Sequence, residues 1–172
     1  MEKVARGYYC QFLAKKIRLR PAIHKDVRLL WVWANDPETR KSAFNTDPIP
    51  FQTHVKWYKN KLKSSDSIIY IAFDESDTPI GQIRFDINKQ NEAEVDVSVD
   101  RLYRGRGYGT ELIKFGTEKA FKEKGVRKIY AHVKAFNEAS IKAFEKAGFK
   151  REGYEIIHDE QTIKLSKVQI NE

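Results

Sequence analysis

The 172-residue chain has a single cysteine, Cys10, which excludes an intrachain disulfide and any metal centre built on several thiolates. Its four histidines are scattered without zinc-ligand spacing, so no metal site is expected. Long apolar runs are also missing. Nothing approaches the roughly 18 residues that would suggest a bilayer span, and the first fifteen residues mix charges with Tyr8, Tyr9 and Phe12, unlike a signal peptide. These absences predict a soluble cytoplasmic protein with no membrane partner. There is no internal repeat, no low-complexity tract and no helix-turn-helix or RNA-recognition signature.

What is present is a 41% apolar chain, enough for one domain of ordinary size, with a formal charge of +8. The basic residues are spread over many segments and interleaved with acidic ones, as in Phe121 to Lys128. That distribution suits an anionic small molecule better than a nucleic acid polymer.

The most telling segment is Arg104-Gly105-Arg106-Gly107-Tyr108-Gly109-Thr110, set between an alternating run at Val95 to Val99 and a helical run from Glu111. Glycines at these positions allow a tight turn and a close approach of backbone N–H groups to a ligand. The helix N-terminus adds its dipole, and Arg104 and Arg106 add charge-assisted donors, so the segment fits a pyrophosphate. A Walker loop is excluded because Gly109 is followed by Thr110 and Glu111 rather than Lys and Ser or Thr. A dinucleotide fold is excluded by the G-x-G-x-G spacing and its place past the middle of the chain.

Residues 1–15 read as an N-terminal extension, and residues 16–172 as one domain. Periodicity predicts a strand at Ile17 to Arg20 stopped by Pro21, a helix from Lys25 to Ala34, and a loop-rich stretch from Pro37 to Pro50. A helix from Phe51 to Leu62 follows, then strands at Ile68 to Phe73, Pro79 to Phe85 and Ala93 to Val99. After the glycine loop come a helix to Lys124, a strand at Arg127 to Val133, a helix at Asn137 to Ala147 and two closing strands at Phe149 to Gly153 and Thr162 to Val168. The expected architecture is α/β (α+β): a mixed, mostly antiparallel sheet flanked by helices on both faces.

With these elements in place, the sequence resembles the GNAT superfamily of acetyl-CoA-dependent N-acetyltransferases over roughly Ile17 to Val168. Arg104 to Gly109 matches the family's R/Q-x-x-G-x-G/A loop, and Asn137 to Phe149 looks like its second cofactor helix. The resemblance implies acetyl-CoA as cofactor, held by Arg104, Gly105, Arg106, Gly107, Tyr108, Gly109 and Thr110, by the backbone of Val97, Ser98 and Val99, and by Asn137, Ser140 and Phe144. It implies a sheet that splays between Val95 to Val99 and Arg127 to Val133, with the pantetheine arm pairing like an added strand. Glu94 and Asp96, two apart on one strand face, are the candidates for the base that deprotonates the amine, Glu94 first. Many members carry a tyrosine where this chain has Phe144, which has no proton to give, so Ser140 and Asn137 are assigned to the leaving thiolate.

A narrower likeness lies in Trp33-Ala34-Asn35-Asp36-Pro37, Ser42-Ala43-Phe44-Asn45, Pro48-Ile49-Pro50-Phe51, His54-Val55-Lys56-Trp57-Tyr58 and Gly81 to Asp86. These phrases are similar to acetyltransferases of amino-sugar biosynthesis, including those acting on a nucleotide-linked 4-amino sugar in the pseudaminic-acid pathway. Phe44, Asn45, His54, Gln82 and Arg84 are then the expected acceptor-binding residues, and the partner is a small-molecule amine, with a nucleotide sugar the favoured candidate. Acceptors such as polyamines, antibiotics or protein N-termini remain open, as do a non-catalytic acyl-CoA-binding module and a homodimer.

Overall fold

The computed structural model describes residues 15–170; the expected extension, and Cys10 with it, lies almost wholly outside them. Seven strands form one sheet: β1 (Arg18–Pro21), β2 (Ser67–Phe73), β3 (Pro79–Ile87), β4 (Glu92–Val99), β5 (Lys128–Lys134), β6 (Lys150–Ile157) and β7 (Glu160–Val168). Their spatial order is β1-β2-β3-β4-β5-β7-β6, and every neighbouring pair is antiparallel except β4 with β5. The expected mixed, mostly antiparallel sheet is present. Of the two strand-helix-strand units, the first delivers the parallel β4–β5 pair; the second places β6 one strand away from β5, with β7 between them.

Among the described residues the α-helices are α1 (Val27–Ala34), α2 (Pro37–Ser42), α3 (Phe51–Lys63), α4 (Tyr108–Lys124) and α5 (Glu138–Lys146). The two-residue period of β2 sorts them to opposite faces. Ile69 and Ile71 pack with Leu30 and Trp33 of α1 and Tyr58 of α3, while Tyr70 and Ala72 join the larger core under α4 and α5. Ile83 and Phe85, both fully buried in that larger core, each contribute on the order of 1.5–3 kcal/mol from apolar burial.

Two expectations are corrected. Pro21 belongs to β1 and does not lie beyond its end, which is tolerated because β1 is an edge strand of the sheet among the described residues. The stretch after Pro37 begins with α2: Asp36 caps it by accepting from the Thr39 N–H, and Pro37 occupies the first turn, where its missing N–H costs nothing. The Asp-Pro pair that ends α1 thus also starts α2.

Candidate active site

The parallel β4–β5 pairing lasts only from Glu92–Lys128 to Glu94–Tyr130, although β4 runs on to Val99 and β5 to Lys134. Beyond Glu94 the two strands part, and the sheet opens as the resemblance implied. The bonds Asn88 N–H to Glu92 O and Asp100 N–H to Ile80 O fix which residues of β4 pair with β3. These are the even-numbered ones, so the odd-numbered residues aim their backbone at β5. Past the parting point, the N–H of Val97 and of Val99 therefore face the gap with no strand partner among the described residues, as does the Val97 carbonyl.

At the wide end of this gap the glycine segment turns into α4. Gly105 and Gly107 have φ of 70° and 87°, the left-handed region that glycine enters without a Cβ penalty. Gly107 is the N-cap, and the first backbone bond of α4 is from the Glu111 N–H to the Gly107 carbonyl. Among the described residues, the N–H groups from Gly105 to Thr110 donate to no protein acceptor. Six consecutive backbone donors at the positive end of a 17-residue helix form an anion cradle, and this donor set fits a diphosphate.

The two arginines of the segment divide. Arg106 is exposed, its guanidinium 5.7 Å from the Tyr103 ring centre. Arg104, expected to face the cofactor, turns inward: it donates to Asp36 (2.7 Å), to the Thr39 hydroxyl (3.2 Å) and, through Nε, to the Val99 carbonyl (2.9 Å). Burial alone would raise the Asp36 carboxyl, but Arg104 and the N–H groups of α2 outweigh it and hold the group below the usual carboxylate range. Arg104 is thus a strut between α2 and the end of β4.

The sheet face beside the parting point carries Gln82, Arg84, Glu94 and Asp96, since β3 and β4 pair Gln82 with Ser98, Arg84 with Asp96 and Asp86 with Glu94. The Gln82 amide donates to Asp96 at 2.9 Å, and Arg84 lies 3.7 Å from the same carboxylate. Arg84 Nε also donates to Asp86, and its guanidinium sits over Trp57. Burial would raise Asp86, yet Arg84, Lys61 and Ser67 together lower it. Glu94 Oε1 is 2.8 Å from Nδ1 of His132, a residue that sequence reading did not single out. Only the β4–β5 register brings the two together, and no local signal marks it.

Of the other expected acceptor residues, Phe44 and Asn45 line a hollow at the β6–β7 turn, and His54 is buried. Arg40 donates to the carbonyls of Asn45 and Asp47 and so shapes the loop after α2. Phe44 lies 6.1 Å from the His158 ring at the β6–β7 turn, and Asn45, Thr46 and Asp47 line the same hollow. His54 is 3% exposed, stacked on Tyr58, with Nε2 unpartnered among the described residues; burial pushes its pKa down. It is a packing residue between α3 and α1. At α5, Asn137 caps the Ser140 N–H and donates to Ser42 of α2, both at 3.2 Å. Phe144 is 2% exposed and packs edge-on against Phe149, so it belongs to the core instead of the cofactor surface.

No helix among the described residues is long and apolar enough to cross a membrane, and no group of three or more His, Cys, Asp or Glu there could hold a metal ion. Comparison with known proteins gives a consistent picture. The family model described as "Acetyltransferase (GNAT) domain" matches residues 16–150. A putative phosphinothricin acetyltransferase of Bacillus subtilis (strain 168), YwnH, is 28% identical over 143 residues, covering 78% of this chain and 85% of its own length. Protein MJ1062 of Methanocaldococcus jannaschii is 23% identical over 155 residues; this match spans 88% of the chain but only 32% of MJ1062. Among solved structures, spermidine N-acetyltransferase from Vibrio cholerae with CoA and spermine superposes with a TM-score of 0.81 at 20% identity, covering 89% of this chain and 95% of that one. Aminoglycoside acetyltransferase AAC(6')-Ib with coenzyme A gives 0.78 at 21%, covering 90% and 95%. At such identities the structural likeness is one of fold.

Proposed function

The chain belongs to the GNAT acetyltransferase family, and from that premise we propose that it transfers acetyl from acetyl-CoA to the primary amine of a nucleotide-linked amino sugar. The observation that carries the acceptor reading is the balanced character of the sheet face beside the gap. Its carboxylates each have a polar neighbour: Glu94 and Glu155 share His132, Asp96 has Gln82 and Arg84, and Glu152 has Lys128. A linear polycation calls for unpaired carboxylates, whereas a hydroxylated ring uses alternating donors and acceptors of this kind. Phe44 and His158 add flat apolar faces suited to a sugar ring. The nucleotide-linked form rests on the N-terminal phrases, chiefly Trp33 to Pro37 and His54 to Tyr58.

Acetyl-CoA supplies the activated acyl carbonyl that the amine attacks and leaves as the free thiol. In this reading the N–H groups of Gly105 to Thr110, with Arg106, hold the diphosphate, and Val97 and Val99 offer backbone partners to the pantetheine amides. Glu94 takes the proton from the acceptor ammonium, and Asp96, held by Gln82, orients the nitrogen. Ser140 and Asn137, in the first turn of α5, stabilise the departing negative charge. The Phe144 position supplies no proton, so the thiolate acquires its proton from solvent.

A second reading has its own support: Glu94 and Asp96 remain 48% and 53% exposed, an attraction for a polyamine or an aminoglycoside. Thiol release from acetyl-CoA, measured with a nucleotide-linked 4-amino sugar, spermidine and kanamycin, separates the two. Turnover with the nucleotide sugar at a kcat/KM well above the others supports the proposal; fast turnover with spermidine or kanamycin and none with the nucleotide sugar refutes it.

A further inference from the structure

The polar face of the sheet continues one strand beyond Glu94. His132 of β5 lies between two carboxylates from different strands: Nδ1 is 2.8 Å from Glu94 Oε1 on β4, and Nε2 is 3.3 Å from Glu155 Oε2 on β6. The His132 side chain is only 15% exposed, while those of Glu94 and Glu155 reach solvent on either side of it. The other groups facing the ring are Tyr130, edge-on at 5.5 Å, and Lys164, paired opposite on β7 and 3.9 Å from Glu155. The chain of contacts begins where β4 and β5 part and ends at the surface near the outer edge of the sheet.

We propose that His132 is a positioning and relay residue that links Glu94, at the reacting amine, through Glu155 to bulk water. This rests on the acyl-transfer reading but not on which amine is the acceptor. The ammonium N–H bond breaks and its proton joins the Glu94 carboxylate, leaving the nitrogen lone pair free to attack. Glu94 then gives that proton to the Nδ1 lone pair, and the imidazolium so formed sits between two carboxylates. Nε2 gives its proton through Glu155 to water, and return of the ring proton from Nδ1 to Nε2 resets the neutral ring. The second N–H proton, lost as the tetrahedral adduct collapses, follows the same route while the departing thiolate takes one from solvent, so each turnover releases one proton net.

The test compares wild type, His132→Gln and Glu155→Gln in thiol release with the three amines named above, across pH. His132→Gln is expected to lower kcat about 10- to 100-fold with KM for acetyl-CoA unchanged. The pH dependence of kcat should change shape in His132→Gln, because the ring no longer takes part in proton transfer. Added imidazole should recover part of the rate, and Glu155→Gln, a surface change, should cost severalfold. In parallel, ¹⁵N spectra of the His132 ring should respond to both Glu94→Gln and Glu155→Gln. A His132→Gln enzyme with unaltered kcat and pH profile, or a loss confined to the KM for acetyl-CoA, overturns the relay. If no amine turns over, the acceptor reading fails by itself. The ring spectra then decide this proposal: response to both carboxylate variants sustains it, and indifference to them overturns it. If His132→Gln does not fold, Glu155→Gln and the ring spectra decide between the same two outcomes.

Discussion

Removing Arg104 and removing Arg106 should have opposite consequences, although the two residues flank one glycine of the same loop. Arg104 makes three hydrogen bonds, two of them from one guanidinium nitrogen to Asp36 and Thr39, with side-chain exposures of 32% for Arg104 and 14% for Asp36. Breaking a fully buried charge pair costs about 3–5 kcal/mol and an exposed one under ~1. With Asp36 largely buried and Arg104 partly wet, Arg104→Ala should cost about 2–3 kcal/mol. For a domain of this size, that corresponds to a melting point lower by roughly 4–12 °C. The Asp36 carboxyl has a folded pKa below its unfolded one. Its contribution is therefore complete above the ordinary carboxylate range and is lost as pH falls through the folded value, so the gap between wild type and Arg104→Ala should narrow on acidification. A double-mutant cycle with Asp36→Asn should show a coupling above ~1 kcal/mol by urea denaturation. Arg106→Ala should leave the melting point within about 1 °C and weaken CoA binding severalfold by calorimetry, more at low salt than at high. Arg104→Ala with unchanged stability and CoA affinity reduced as strongly as in Arg106→Ala would refute this division.

Other measurements test the cradle, the core and the buried histidine. CoA should slow amide hydrogen exchange from Gly105 to Thr110 more than elsewhere in α4, since among the described residues those N–H groups donate to no protein acceptor; uniform protection along the helix would contradict the cradle. Gly116→Ala should destabilise by about 1–3 kcal/mol in urea melts, because a Cβ there would stand 2.7 Å from Ile83 Cδ1. Gly107→Ala, which meets no atom within 4 Å, should cost about 1–2 kcal/mol from its φ of 87° alone. His54 is depressed by burial, so the unfolded chain binds its proton first. Stability should fall as pH drops below about 6.5, and His54→Leu should flatten that part of the curve.

The chain itself made much of this legible. Valines alternating with Asp96 and Ser98 gave β4, glycine spacing gave the turn into α4, and Asn137 and Gly148 marked the ends of α5, because strand period, left-handed turns and helix caps act within a few residues. The start of α2 was hidden because Asp-Pro reads equally as an ending and as a cap. The directions of Arg104, Arg106, Phe144 and His54 were beyond local pattern, since an arginine beside a glycine loop can turn to a ligand or to a carboxylate on another element. Asp36 and Arg104 meet across 68 positions, and Glu94 and His132 across 38. The local order of residues thus determined most of the elements and the glycine turn into α4. The assembled sheet decided which charges are neutralised internally and which remain for the reaction, because burial and ion pairing depend on partners that only folding brings within 4 Å.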